Sequence, residues 1–565
     1  MAGAEGMRIG ILCRGRRFAA WEAECIRQVL ALRGVAIGLL IVDGSPPPAR
    51  LPVLARGKRI VRDGSLMWRL FDRLMVSRKA ASIRPVDLTD ELADVGEIVC
   101  VPEKVGKFRQ RLTESDLAAI REHDLDIILR LGFGILTGEI LNVARHGLWS
   151  FHHGDPAHFR GAPPGFWEIH RGSPVTGVIL QRLSEALDGG TVLHQGWFKT
   201  QASSYARSLD HIYFGAAHFV ARTIEDVRGG RSIARAQSEM GPIYRYPRNG
   251  AVLKVVAKSF ATWIGDQFGS LFRHQHWTIG FLDDDAAQVH RRAGAGEAVA
   301  AEVEWAPMVE GSFLADPFLA AGFGPDGAAL VMAEEYDWKS GLGRISAVEV
   351  DGAALHPVTQ LKTAHHFSYP FLIEVEGVLH CIPECAESGE VRMYRYDRAA
   401  PRWDEGVALI AGIAAIDPTV VEHDGRWWLF CTDAANRPNE ALHLWHAERL
   451  MGPWTPHPQN PVKMDVRSAR PAGPLFLNSG ALIRPAQDCA THYGSAVTFN
   501  RIVTLTTEAF VEVAEGQLRP QAGGDFPAGL HTICGSGGRT VVDGAKWSFQ
   551  PAEFRRALRR KLGYR

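Results

Sequence analysis

No stretch of this chain reaches the ~18 uninterrupted apolar residues that a membrane-crossing helix needs, so the sequence reads as that of a soluble protein. A secretory leader is missing as well: the apolar residues 7–12 run straight into Cys13-Arg14-Gly15-Arg16-Arg17, and the expectation is a cytoplasmic location. There is no net charge. Lys plus Arg and Asp plus Glu both number 63, so no global field draws in a polyanion, and nucleic acid is not expected as a partner. Cysteine is scarce and scattered, with eight residues in 565. Its one close pair, Cys381 and Cys385, lacks zinc-knuckle spacing, and no pair of His or Cys has convincing ligand spacing, so no metal is expected. Reduced, buried thiols are the reading. A P-loop is absent, and Gly132-Phe133-Gly134 alone is a weak match to a dinucleotide fingerprint.

What is present is ordinary globular material, 46% apolar and 22% charged, in a chain too long for one core. The first third alternates strand and helix signals. Residues 7–12 and 35–42 read as buried strands around a helix near 21–32, with Cys25, Ile26, Val29 and Leu30 at helical spacing. Thr113-Glu114-Ser115-Asp116 is a capping-box start, and residues 125–131 form a central strand. Such alternation predicts a parallel α/β sheet. After Trp277 the texture changes to strands separated by turns. Ala315-Asp316-Pro317, Ser368-Tyr369-Pro370 and Ile416-Asp417-Pro418 recur roughly every 50 residues, as β-propeller blades do, each followed by a Gly-containing turn. Two divergent units, near 479–484 and 529–533, bring the count to five. The expected class is therefore α/β plus all-β. The expected division is an α/β domain over 1–230, a helical connector over 231–275, a five-bladed propeller over 276–546 and a basic tail over 547–565.

The densest chemistry lies in Ser150-Phe151-His152-His153-Gly154-Asp155, which runs on to Arg160-Gly161 and is followed by Leu187-Asp188-Gly189-Gly190. Two histidines end an apolar strand, a Gly/Pro loop follows, and a carboxylate stands 36 residues beyond His152. Formyl transfer to an amine needs a group to take the proton, a donor for the oxygen that gains charge, and a carboxylate to hold the imidazole. Residues 7 to about 230 resemble the formyltransferase superfamily that includes methionyl-tRNA, glycinamide-ribotide and sugar-amine N-formyltransferases. The resemblance implies a Rossmann-like fold with 10-formyltetrahydrofolate as donor, flanked by Leu131, Gly132, Phe133, Gly134, Ile135 and Leu136. Val175-Thr176-Gly177-Val178 resembles a further strand of that family. The family signature is Asn-x-His with a distant Asp. Asp188 matches the Asp. Gap-free spacing puts His152 at the histidine and Ser150 at the asparagine, and period two places both on one strand face; the other register takes His153. In either register the asparagine is absent, and losing an oxyanion donor typically costs ~100-fold or more. Asp155 is a candidate for an acceptor ammonium or for capping a turn, Arg160 for a phosphate or carboxylate, and Trp167 for stacking on a sugar or base.

Residues 277–545 resemble the five-bladed propellers of arabinanase- and fructosidase-type glycoside hydrolases, and more closely the propeller domain of plant glucosamine inositolphosphorylceramide transferases. That resemblance implies that Asp316, Glu384 and Asp417 converge at the propeller mouth, either to hydrolyse a glycoside or to bind a glycan. The tail carries Phe554, Leu558 and Leu562 on one face among Arg and Lys residues, suited to a docked helix or to contact with an anionic membrane. The resulting expectation is an N-formyltransferase acting on a small-molecule amine, an amino sugar or sugar nucleotide, with the propeller orienting the acceptor. The competing one is a non-catalytic formyltransferase-like module joined to a propeller glycosidase or glycan-binding domain. Oligomeric state is not legible.

Overall fold

The structure is a computed structural model that describes residues 6–46, 52–106, 108–185, 190–231, 235–236, 240–324, 327–351, 354–361, 364–399 and 402–563. The chain divides into two compact units, Met1–Trp263 and Ile264–Arg565, and the division falls inside one helix, Asn249–Phe272.

The first unit is built on eight strands: β1 (Met7–Cys13), β2 (Val35–Asp43), β3 (Glu97–Cys100), β4 (Ile127–Arg130), β5 (Leu148–His152), β6 (Val175–Arg182), β7 (Thr191–Lys199) and β8 (Arg235–Ala236). They lie in the order β8-β7-β6-β5-β4-β1-β2-β3. β3, β2, β1, β4 and β5 run parallel, and β6, β7 and β8 extend the sheet antiparallel. Parallel strands are apolar on both faces because both are covered. Leu12, Ile128 and Leu148 join one core, while Ile11, Ile37 and Leu40 join another with Ala23 and Ile26 of the helix Ala20–Leu30. Each such side chain contributes roughly 1.5–3 kcal/mol on burial. The predicted capping box is present. The Thr113 hydroxyl accepts from the Asp116 N–H at 3.2 Å, and Asp116 accepts from the Thr113 N–H at 3.2 Å, at the start of Glu114–Arg121. The unit runs past residue 230, because β8 pairs with β7 and Ile243–Tyr244 pairs with Arg160–Gly161. Part of the expected connector thus belongs to this unit's strands.

Among the described residues, the second unit is a succession of five antiparallel sheets. Four are sequential, with first strands at Ser312–Ala320, Ser368–Val375, Ala415–His423 and Phe476–Asn478. The fifth joins the two ends of the unit, since His274–Leu282 pairs with Arg539–Ser548 along its whole length. The recurring tripeptides mark a shared device. Asp316, Tyr369 and Asp417 each adopt a left-handed φ (50°, 43° and 50°), and at each the ladder to the next strand slips. These are β-bulges ahead of a proline, held at a cost of order 1–3 kcal/mol apiece. Glu376-Gly377 and Asp424-Gly425, both at positive φ, form the two-residue turns that the sequence signals. Asp326, in the matching turn signal of the first repeat, lies outside the described residues. Ser479-Gly480, read as the start of a divergent repeat, is another such turn. All eight cysteines are buried and free. Among the described residues, no helix is long and apolar enough to cross a membrane.

Candidate active site

β5 ends the parallel part of the first unit's sheet, where ligands bind outside the carboxyl ends of the strands in folds of this kind. Its alternation sorts the motif between two faces. Ser150 pairs in register with Arg130 of β4. The Arg130 guanidinium donates to the Ser150 hydroxyl from Nε at 3.0 Å and Nη2 at 2.8 Å, and from Nη1 to the Gly134 carbonyl at 2.8 Å. His152 is on the Ser150 face and half-buried, with Nε2 3.4 Å from the Phe159 carbonyl oxygen. Gly154 permits that approach, since a Cβ there would stand 2.4 Å from the Phe159 oxygen and 3.2 Å from His152 Nε2. His153 goes to the other face. Its ring meets Trp21 at 5.0 Å and Tyr213 at 4.3 Å, and burial pushes its pKa down to about 3. His153 is therefore a neutral core residue, which corrects the register that made it the base. Asp188 lies outside the described residues.

The glycine-rich segment after β4 is a tied turn. The Leu131 and Gly132 amides donate to the Leu12 carbonyl, the Gly134 amide donates to the Gln110 side chain at 2.7 Å, and Ile135–Leu136 pair with Arg109–Gln110. Phe133, at φ 65°, and Leu136 are buried in the core, while the Ile135 side chain is exposed. Of the six residues expected to flank the donor, Phe133 and Leu136 thus pack inward.

Asp155 caps the turn after His153. It accepts from the Ala157 amide at 3.0 Å and pairs with His158 Nδ1 at 2.9 Å. Arg160 reaches the Gly241 carbonyl at 3.4 Å. Trp167 stacks on Tyr244 at 5.0 Å and donates its indole N–H toward the Ala162 and Arg245 carbonyls, both at 3.2 Å. One face expected for ligand stacking is used by Tyr244. Sequence reading passed over Glu168, on the short helix Phe166–Arg171. It is buried, Oε1 has no hydrogen-bond partner, and burial, with the Asp155 charge adding to it, raises its pKa to about 8.

In the second unit, Asp316, Glu384 and Asp417 do come together, close enough that all three charges act on Glu334. All three are buried. Asp417 receives Arg470 Nε at 2.5 Å and Gln487 Nε2 at 2.9 Å, and its amide donates to Glu384 at 3.1 Å. His531 lies between Asp543 (Nδ1 to Oδ2, 2.7 Å) and Asp316 (Nε2 to Oδ1, 3.3 Å). The Nδ1 contact is an ion pair when the imidazole is protonated. Burial opposes charge on His531, but the two carboxylates outweigh it and raise its pKa. Burial drives Asp316 up to about 6 against the pull of His531, and drives Glu334 and Glu384 well above the carboxylate range. The donor atoms of Asp316, His531 and Asp543 lie within 4.8 Å of one another, a spacing that a metal ion can bridge. These three residues are too far apart in the chain for a spacing rule to find. Tyr369, at the bulge where the repeat lacks an Asp, bonds Thr419 at 2.8 Å and accepts from the Gly473 amide at 2.6 Å. It ties inner segments together where an Asp would add charge.

Residues 84–210 match the family model described as Formyl transferase. This segment of the first unit is similar to formyl transferases. Residues 300–522 match the model described as Glucosamine inositolphosphorylceramide transferase 1, N-terminal. The chain is 37% identical over 158 residues to glucosamine inositolphosphorylceramide transferase 1 of Oryza sativa subsp. japonica, which covers 27% of this chain and 21% of that protein. It is 32% identical over 132 residues to methionyl-tRNA formyltransferase of Phenylobacterium zucineum (strain HLK1), covering 23% and 43%. An exo-β-1,3-galactanase structure from Phanerochaete chrysosporium aligns at TM-score 0.30 and 10% identity, over 37% of this chain and 54% of that one. The chain thus spans about a fifth of the rice relative and less than half of the bacterial one. The segment similar to formyl transferases holds β4, β5, Arg130, Ser150 and His152.

Proposed function

We propose that the chain is an N-formyltransferase that moves a formyl group from 10-formyltetrahydrofolate to a primary amine, with an amino sugar or sugar nucleotide as acceptor. The observation that carries this reading is the arrangement of Arg130, Ser150 and His152. They sit at the carboxyl ends of two adjacent parallel strands, inside the segment that matches the formyl transferase family. The bound donor supplies the formyl carbonyl. His152 takes the proton from the attacking amine, in the role of general base, and returns it to N10 of the donor as the C–N10 bond breaks and tetrahydrofolate leaves. Ser150 faces the carbonyl oxygen as negative charge gathers there. Its hydroxyl accepts two guanidinium N–H groups and donates to the Phe151 carbonyl at 3.3 Å, so in this reading its proton turns from that carbonyl to the developing oxyanion, and the Arg130 charge strengthens that donation. A charge-assisted serine thereby stands where the family has an asparagine amide. Asp188 is assigned the role of holding and charging the imidazole.

The five sheets of the second unit are read as blades of a ring closed by the pairing of His274–Leu282 with Arg539–Ser548, and this unit binds or orients the acceptor. Hydrolysis is disfavoured because a glycosidase needs one carboxyl group to protonate the leaving oxygen and a second to act on the sugar, whereas Asp417 is held by Arg470 and Gln487. The test is a transfer assay with 10-formyltetrahydrofolate and a panel of amino-sugar nucleotides, alongside calorimetric titration with 5-formyltetrahydrofolate. Saturable binding with transfer that vanishes in His152→Ala and Asp188→Ala supports the reading. Full transfer by Asp188→Ala, or no binding at millimolar ligand, sinks it.

A further inference from the structure

A surface of the second unit, built from the last turns of one helix and the whole of another, pairs exposed aromatic and aliphatic groups with mainly positive charge. Phe268 and Phe272 occupy one stripe at the end of the helix Asn249–Phe272, one turn apart, and both are exposed. The helix Pro551–Lys561 carries Phe554 and Leu558 at the same helical interval, and Leu562 follows at its C-cap. Rings join the two. Phe272 meets Phe549 at 6.1 Å and Phe554 at 5.4 Å, and Phe549 meets Phe554 at 5.8 Å. Lys561 Nζ pins the helices together by donating to the Gln267 carbonyl at 3.1 Å and to its side chain at 3.0 Å. The rings are thus packed against one another, yet their outer surface is open: Phe268 is 62% exposed, Phe549 52% and Leu562 63%.

Charge around this surface is mainly positive, with Asp266 exposed among it. The helix Pro551–Lys561 bears Arg555, Arg556, Arg559, Arg560 and Lys561 against a single acid, Glu553. Glu553 is already taken by the Tyr336 hydroxyl at 2.7 Å and by Arg556. Arg555, Arg559 and Arg560 are exposed. On the final turns of the other helix Asp266 is the only acid, and beyond it Arg273 lies over the exposed Trp547 ring at 4.9 Å. Apolar groups of this size left in water mark a binding surface. Aromatic rings and leucines on one side with arginines beside them suit the boundary between acyl chains and headgroups. Single-stranded nucleic acid wants separate ring faces on which bases stack, whereas these rings pack edge and face against each other, and the most exposed apolar group is a leucine.

We propose that this surface docks the protein on an anionic lipid bilayer as a peripheral contact. Phe268, Phe549, Leu558 and Leu562 enter the headgroup boundary, and Arg555, Arg559 and Arg560 meet lipid phosphates and carboxylates. The proposal is independent of the formyl transfer reading.

The experiment is flotation of the full chain with phosphatidylcholine vesicles containing about 30 mol % phosphatidylserine, compared with phosphatidylcholine alone. The expected result is flotation with the anionic vesicles that weakens with added salt. Combined Arg555→Glu, Arg559→Glu and Arg560→Glu lowers the partition constant on the order of 100-fold, at roughly 1 kcal/mol per basic residue before counting reversal. Leu562→Asp, at a position too exposed to disturb folding, lowers it about tenfold. An unchanged thermal melt checks that each variant is folded. Failure of the full chain to float with anionic vesicles overturns the proposal, as does equal flotation of the triple variant. Self-association without vesicles that Leu562→Asp abolishes overturns it too, because the face then belongs to a second copy.

Discussion

Both units place a histidine beside groups able to hold charge, and they use it in opposite ways. His152 ends a parallel strand, half-buried, next to a serine that receives a guanidinium. His531 is 2% exposed between two buried carboxylates, within a cluster where Asp417 is bound by Arg470 and Glu384 receives the Asp417 amide. The difference lies in exposure: His152 is half-buried at a strand end, whereas His531 is closed off from solvent. A catalytic base must exchange a proton with something outside the protein. An imidazole locked in an ion-pair network resists that exchange, and its removal is felt as lost stability. The residue types are alike, but the first arrangement suits chemistry and the second suits construction.

The largest effect that can break this contrast is on rate. His152→Ala should reduce formyl transfer by about 100- to 10,000-fold, the usual range for a general base, with the thermal midpoint nearly unchanged. A large fall in midpoint with activity retained per folded molecule would move His152 into the structural class. The converse falls on Arg470→Met, which leaves Asp417 as a buried carboxylate without its cation. The expected loss of stability is about 3–5 kcal/mol, read from denaturant midpoints. Pairing it with Asp417→Asn should recover much of that loss. Simple additivity of the two would show that the ion pair is not what holds this cluster.

Most of the fold was legible because it follows periodicity. The helix Ala20–Leu30 buries Cys25, Ile26 and Val29 as its spacing predicts, although Leu30, expected with them, is 37% exposed at the helix end, and Thr113 and Asp116 build their cap from a four-residue pattern. The repeated tripeptides located three bulged strands. The candidate site was half legible. Period two placed Ser150 and His152 on one face, but nothing local in the sequence sends His153 into the core beside Trp21 and Tyr213, which come from opposite ends of the unit. Arg130 was invisible for a similar reason: its meeting with Ser150 is set by the register of two strands 20 residues apart in the chain. The boundary at 230 failed because β8 is two residues long, too short to show a period.

Glu168 sharpens the comparison from inside the first unit, because it is buried like the cluster acids but no cation holds its charge. Its pKa rises from an ordinary 4.5 to about 8, so the folded state binds the proton more tightly than the unfolded chain. Folding therefore takes up a proton between those two values, and stability falls as pH rises through the window from 4.5 to about 8, then levels off. Glu168→Gln should flatten that slope and gain up to ~4 kcal/mol at pH 8. Chemical denaturation at pH 5 and pH 8 checks it, and an unchanged slope in the variant would assign the proton uptake elsewhere.

The smallest effect belongs to Ser150→Ala, which asks whether Arg130 treats its partner as Arg470 treats Asp417. Arg470 neutralises a charge, so its loss strands a carboxylate. Arg130 donates to a neutral hydroxyl, and its third contact, to the Gly134 carbonyl, survives the substitution. The stability cost should therefore be that of a hydrogen bond to a charged group, about 1.5 kcal/mol. Transfer should slow by about 100-fold as an oxyanion donor is lost. Ser150→Asn should restore part of the rate, because an amide at that position donates directly to the same oxygen. If Ser150→Ala lowers stability but leaves kcat intact, the guanidinium and hydroxyl are structural partners, and the first unit's site resembles the second unit's cluster more than the strand geometry implies.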